Sequence, residues 1–147
     1  MSHAYARNYL HVVFSTNERR KVIRGEHRER LWAYMRGIGD EYGVSTMEIG
    51  GTDDHVHLVV AMPPKISLAT WLRAVKANSS KWMNENGHLF AWQRGYGAFS
   101  VSSSNLESVC RYVRDQERHH CRLRFEEEFV ALLKKHGVEY TQEHVFG

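Results

Sequence analysis

Val56-His57-Leu58-Val59-Val60-Ala61-Met62 is an almost continuous apolar run. It is far shorter than the roughly 20 residues a membrane span needs. A short run of this kind, rich in β-branched residues, reads as a strand buried on both faces, so it belongs in the middle of a sheet. Every other element has to be placed around it.

Upstream, Tyr9 to Phe14 is aromatic and β-branched and reads as a strand, followed by a loop from Arg19 to Gly25. Glu26 to Tyr42 has helical period, with Leu31, Tyr34, Met35 and Ile38 on one face and Gly43 as its stop. Val44 to Ile49 is a second strand, and Gly50 to Asp54 has the chemistry of a hairpin turn. Downstream, Ser67 to Asn86 is a helix with Leu68, Trp71, Leu72, Val75 and Trp82 at helical spacing. Gly87 to Arg94 is irregular, and Tyr96 to Val101 is a fourth strand. Ser104-Asn105-Leu106-Glu107 is a capping-box sequence that opens a third helix. A fourth helix runs from about Arg124 to Lys135, with Gly137 after it.

The order β-α-β-β-α-β-α-α predicts an α+β fold, a split βαβ (ferredoxin-like) sandwich. Its antiparallel sheet has helices packed on one face, with the first and third strands central and two extra helices at the C-terminus. The 147 residues suggest one domain, 1–147, large enough to bury a core without disulfides. Cys110 and Cys121 read as reduced thiols. No signal-peptide pattern or membrane span is recognisable, which makes a cytoplasmic protein the expectation. The net charge of +3 decides little. Its distribution says more: Arg19, Arg20, Lys21 and Arg24 form one cluster, Arg73, Lys76 and Lys81 a second, and Arg111, Arg114 and Arg118 a third. Each is either a solvated face or a phosphate-binding patch.

His55 and His57 lie two apart on the central strand, so they share a face at roughly 7 Å spacing and can hold one metal ion. With ten histidines in the chain, roughly 0.7 such pairs arise by chance, so the pair alone also fits two satisfied strand histidines. Tyr112 and Gln116 are spaced i, i+4 on the third helix, on one face and away from apolar Val113. A phenol beside a metal can act as a nucleophile, and a glutamine oxygen can complete a metal's coordination. A half-buried helix tyrosine and a solvent glutamine would give the same letters.

Taken together these segments resemble one family. Asp54-His55-Val56-His57-Leu58-Val59-Val60, then Trp92-Gln93-Arg94-Gly95-Tyr96-Gly97-Ala98-Phe99-Ser100-Val101-Ser102, then Tyr112-Val113-Arg114-Asp115-Gln116 with His119-His120 resemble the HUH single-tyrosine transposases of bacterial insertion sequences. The REP-associated tyrosine transposases share these motifs. The resemblance runs from about Tyr9 to the C-terminus. It implies one Mg²⁺ or Mn²⁺ held by His55, His57 and Gln116. It also implies a catalytic Tyr112 that attacks single-stranded DNA to give a 5′-phosphotyrosine and a free 3′-OH. A DNA hairpin near the element end as partner and a homodimer are implied as well, with the tyrosine helix docked in cis or in trans, and no nucleotide cofactor. Arg19, Arg20, Lys76, Ser80 and Lys81 are candidates for DNA phosphate contacts, and Trp92 for stacking on an unpaired base. Trp71 and Trp82 read as core, while His11, His119 and His120 read as supporting or surface groups.

Other readings stay open. An RNA-recognition-like binding module shares the βαββαβ frame but predicts no metal and no adduct. A hydrolase with a water nucleophile predicts cleavage that survives Tyr112→Phe. A domesticated relative would act on chromosomal repeats.

Overall fold

The structure, a computed structural model, describes residues 5–119 and 123–147. Four strands form one antiparallel sheet in the order β2-β3-β1-β4. They are β1 (Tyr9–Ser15), β2 (Ser45–Gly51), β3 (His55–Ala61) and β4 (Gly97–Val101). The expected order and the central place of the first and third strands are both present. β3 pairs with β1 so that Ser15 faces His55 and Val13 faces His57.

Both faces of β3 are covered, which is why its letters are nearly all apolar. Val56, Leu58 and Val60 point with Val12 and Phe14 into the larger core. Helices α1 (Glu26–Glu41) and α2 (Leu68–Glu85) close that side with Leu31, Trp32, Met35, Trp71, Leu72 and Val75. Ser67 caps α2 by accepting the Thr70 amide at 3.1 Å. Gly43 ends α1 at φ 73°, in the left-handed region. Tyr34 lies outside the core in which the helical period placed it: its ring stacks on Trp82 at 5.2 Å near the surface, while Trp32 is buried.

The opposite face of the sheet carries His11, Val13, His55, His57 and Phe99. Three C-terminal helices cover it: α3 (Leu106–Arg114), α4 (Gln116–His119) and α5 (Phe125–Lys135). Val13 and Phe99 pack there with Phe125, Phe129 and Leu133 in a second core.

Two local expectations are corrected. The Ser104–Glu107 capping box does not form. A 3-10 turn, Ser103–Asn105, closes first, with the Asn105 amide on the Ser102 carbonyl at 3.0 Å, so α3 starts one residue late and has no side-chain cap. Ser104 Oγ meets Ser102 Oγ, and Glu107 pairs with Arg111 at the surface. Secondly, α3 stops at Arg114, and Gln116 opens a new short helix. Cys110 is a half-buried free thiol, while His120 and Cys121 lie outside the described residues.

The segment between α2 and β4 has little regular structure but is firmly held. Lys76 donates to the carbonyls of Gln93, Arg94 and Gly95 at 2.9, 3.2 and 2.8 Å. Replacing Lys76 with Met should therefore lower stability by about 1–3 kcal/mol, measured by urea unfolding, because three carbonyls lose a charged donor.

Candidate active site

β3 delivers its two histidines to a buried polar cluster. His55 and His57 are both 0 % exposed. Buried imidazoles need partners, and each ring nitrogen has one. His55 Nδ1 lies 2.8 Å from Asp54 Oδ1 and 3.1 Å from Thr52 Oγ1. Its Nε2 lies 3.0 Å from Gln116 Oε1 and 3.5 Å from Glu128 Oε1. His57 Nδ1 faces His11 Nε2 at 2.7 Å, and His57 Nε2 faces Glu128 Oε1 at 2.9 Å. Burial holds His11 well below the ordinary imidazole range, reinforced by His57 beside it. A neutral His11 can thus accept a hydrogen bond at Nε2 from the His57 Nδ1–H and fix that ring's orientation.

Gln116 is buried although the third helix ends before it. The break at Asp115 keeps it one turn from Tyr112, with its amide nitrogen 3.4 Å from the Tyr112 carbonyl. The same nitrogen donates to Glu128 Oε2 at 3.2 Å, so its oxygen is left facing His55. Tyr112, one turn earlier on α3, reaches the same cluster. Its ring lies 5.8 Å from that of His57, and its hydroxyl donates to Glu128 Oε2. Burial, then the Glu128 charge and the hydrogen bond to it, raise the phenol above its ordinary range. Beside Tyr112 opens a cavity of about 540 Å³, walled by His11, Phe99, Ser102, Asn105 and His136.

Glu128 is the residue that sequence reasoning missed. It sits on α5, 1 % exposed, with one oxygen toward the histidines and the other toward the phenol. The signal was its place on the helix: Phe125, Glu128, Phe129 and Leu132 fall on one face, so an acid interrupts an apolar stripe.

The donor set fits a divalent ion. Ligand atoms of His55, His57 and Glu128 lie within 4.8 Å of one another, all three residues being buried. If Asp54 takes the His55 Nδ1 proton, the Nε2 lone pair meets two oxygens, Gln116 Oε1 and Glu128 Oε1. Electron pairs converging in a dry site call for a proton or a cation between them.

The candidate DNA contacts are placed differently. Trp92 is corrected: it is buried at 8 % exposure, its indole donates to Ser79 Oγ at 2.8 Å, and its ring packs edgewise on Phe14 and Phe90. It forms part of the core because the irregular segment folds back onto α2. Lys76 spends its donors on backbone carbonyls, and Ser80 Oγ donates to the Phe90 carbonyl at 3.2 Å. Arg19 is 3.7 Å from Glu126 and lies over the Phe146 ring. Arg20 pairs with Glu18, and Lys81 with Glu85 at 3.9 Å on the surface.

One glycine sets the position of Tyr112. α3 lies directly on β2 at Gly50, where an added Cβ would stand 2.2 Å from the Val113 carbonyl oxygen. Gly50→Ala should push α3 off the sheet at a cost of about 1–3 kcal/mol. Hydrogen-exchange mass spectrometry should then show faster exchange over Leu106–Arg114 while α1 and α2 keep their protection.

Comparisons with known proteins converge on one group. The family described as "Transposase IS200 like" matches residues 4–116. The transposase for insertion sequence element IS200 of Salmonella typhimurium is 28% identical over 114 residues, covering 72% of this chain and 74% of that protein. The ISDra2 transposase TnpA of Deinococcus radiodurans is 23% identical over 116 residues, covering 72% and 81%. Among solved structures, a putative transposase from Deinococcus radiodurans superposes with TM-score 0.63 at 21% identity, covering 79% of this chain and 95% of that one. A REP-associated tyrosine transposase bound to a REP hairpin gives TM-score 0.58 at 11% identity, covering 77% and 68%. With its HUH strand, its tyrosine helix and a family match over most of its length, this chain belongs to the IS200-like transposase family.

Proposed function

We propose that this transposase cleaves and rejoins single-stranded DNA through a covalent bond to Tyr112. The observation that carries the reading is the convergence of Tyr112, Gln116 and Glu128 on the His55–His57 pair. A divalent ion, Mg²⁺ or Mn²⁺, held by His55, His57 and Glu128 with Gln116 beside them, would supply positive charge to the scissile phosphate and the departing oxygen.

The chain's own groups do the rest. The cavity beside Tyr112 admits the strand and holds it against the phenol. The Tyr112 oxygen attacks phosphorus, and the bond from phosphorus to the 3′ oxygen breaks. The phenolic proton passes to Glu128 Oε2, its hydrogen-bond acceptor, and ends on the released 3′-OH. The phosphate stays on Tyr112 as a 5′-phosphotyrosine. A second 3′-OH attacking that bond reseals the strand and returns the phenol, with no net loss of phosphodiester bonds and no ATP. The likeness to a relative solved on a REP hairpin supports a folded single-strand hairpin as partner. The reading extends to a homodimer, which light scattering would detect.

The test is a covalent trap. Labelled single-stranded DNA from the element's own ends, incubated with Mg²⁺ or Mn²⁺ and run on a denaturing gel, should give a slow band that chelator abolishes and Tyr112→Phe removes. Cleavage that persists in Tyr112→Phe would transfer the chemistry to a water nucleophile. A finer expectation concerns Asp54, whose carboxylate orients His55. Asp54→Asn should raise the metal concentration for half-maximal cleavage roughly 10- to 100-fold while still forming the band at saturating metal.

A further inference from the structure

A second cleft lies on the other side of the sheet from the histidines, between α2 and the segment leading into β4. It has a volume of about 510 Å³, within the range of small-ligand sites. Its floor is apolar, made by Leu72, Ala77 and the buried Trp92. Arg73 and Arg94 stand on its rim, and Tyr96 forms a wall with 41 % of its surface exposed. Among the described residues, no acidic side chain lines it. The clefts near Arg28 and near Arg19 are lined by acids and bases alike.

Three features suit this cleft to an unpaired nucleotide. First, its arginines are available. Arg28 and Arg114 are held in ion pairs, whereas among the described residues neither Arg73 nor Arg94 has an ion-pair partner. Second, its walls are rigid. The Lys76 ammonium gathers the carbonyls of Gln93, Arg94 and Gly95 and lies near the Phe14 and Tyr96 rings, while Ser79 pins the Trp92 indole. A rigid site loses little entropy on binding. Third, its location is right. Tyr96 adjoins Gly97, which pairs with Val13, and Ser15 pairs with His55, so the cleft and His55 share one end of the sheet.

We propose that this cleft is a subsite for an unpaired nucleotide of the DNA strand, with the base against Tyr96 and flanking phosphates on Arg73 and Arg94. An aromatic face beside free guanidinium groups is the general means of holding single strands without reading their sequence. The subsite rests on the single-strand DNA reading, but its test needs no chemistry.

Fluorescence polarisation of a labelled oligothymidylate, measured without metal, follows binding alone. Tyr96→Ala should weaken binding roughly five- to hundredfold and Tyr96→Phe should restore it. The double variant Arg73→Ala, Arg94→Ala should lower the slope of log affinity against log salt by about 1.4, two phosphates at about 0.7 each. Ultraviolet cross-linking of an oligonucleotide carrying 5-iododeoxyuridine, mapped by mass spectrometry, should mark Tyr96. Wild-type affinity and salt slope in these variants, or cross-links confined to other surfaces, would overturn the subsite. So would equal binding of duplex DNA through the cleft with no effect of Tyr96→Ala. A variant that still forms the Tyr112 adduct but shows none of the binding losses refutes the subsite and leaves strand transfer standing. Absence of the adduct in the wild-type protein refutes strand transfer, whatever the cleft binds.

Discussion

The structure depends on a strand that is buried on both faces yet carries two histidines. β3 alternates by necessity: Val56, Leu58 and Val60 enter one core, and His55 and His57 face the other layer. Two imidazoles without partners in a dry layer would cost several kcal/mol. The surrounding elements supply those partners. Asp54 comes from the hairpin, His11 from β1, Gln116 from the start of α4 and Glu128 from α5. The polar cluster therefore selects how the C-terminal helices close over the sheet. It also explains why they arrive as separate short helices: Gln116 and Tyr112 both reach the cluster, with α3 ending between them at Asp115.

Glu128 joins the two halves of this arrangement. The family match ends at residue 116, so α5 lies beyond it, yet α5 provides a buried carboxylate that touches both the histidines and the Tyr112 phenol. The apolar residues around Glu128 hold it there. Phe125 and Phe129 stack on each other at 5.4 Å, and Phe125 also lies 5.0 Å from the His55 ring. A carboxylate fixed by aromatic packing on one side and by hydrogen bonds on the other has little freedom to leave. The same packing excludes water, which strengthens every electrostatic contact inside.

Most of the sheet and the histidine pair were legible because they depend on period alone. The apolar strand run, the helical periods and the Gly43 stop are local signals, and these survived folding. What was not legible depended on competition between local and tertiary choices. Ser104 had the letters of a cap, but an earlier 3-10 turn claimed the backbone first. Trp92 lay in an irregular stretch and looked available, but Lys76 and Ser79 draw that stretch onto α2 and bury the ring. Lys76 itself resembled a phosphate contact and instead holds backbone carbonyls. Glu128 was hidden among three consecutive glutamates, where only helical phase singles it out. In each case the residue type was informative, and the partner that decided its role lay far away in sequence.

The two clefts are connected by hydrogen bonds at one end of β1. The Thr16 amide donates to the Asp54 carbonyl at 2.8 Å, next to the carboxylate that holds His55. On the other side, the Ser15 amide donates to Gln93 Oε1 at 2.6 Å, and the Asn17 and Gln93 amides donate to the Ala91 and Ser15 carbonyls at 2.8 and 2.9 Å. One short stretch, Ser15 to Asn17, thus fastens both the hairpin that orients His55 and the wall of the cleft on α2. Such a seam fixes distance: a strand held at Tyr96 would meet the histidine layer at a spacing set by backbone bonds rather than by mobile side chains. Positioning is a large part of what a phosphoryl-transfer site must supply, and an error of about 1 Å can cost roughly a hundredfold in rate. If strand transfer proceeds as proposed, the rigidity of this end of the sheet matters to it as much as the residues that would touch the phosphate.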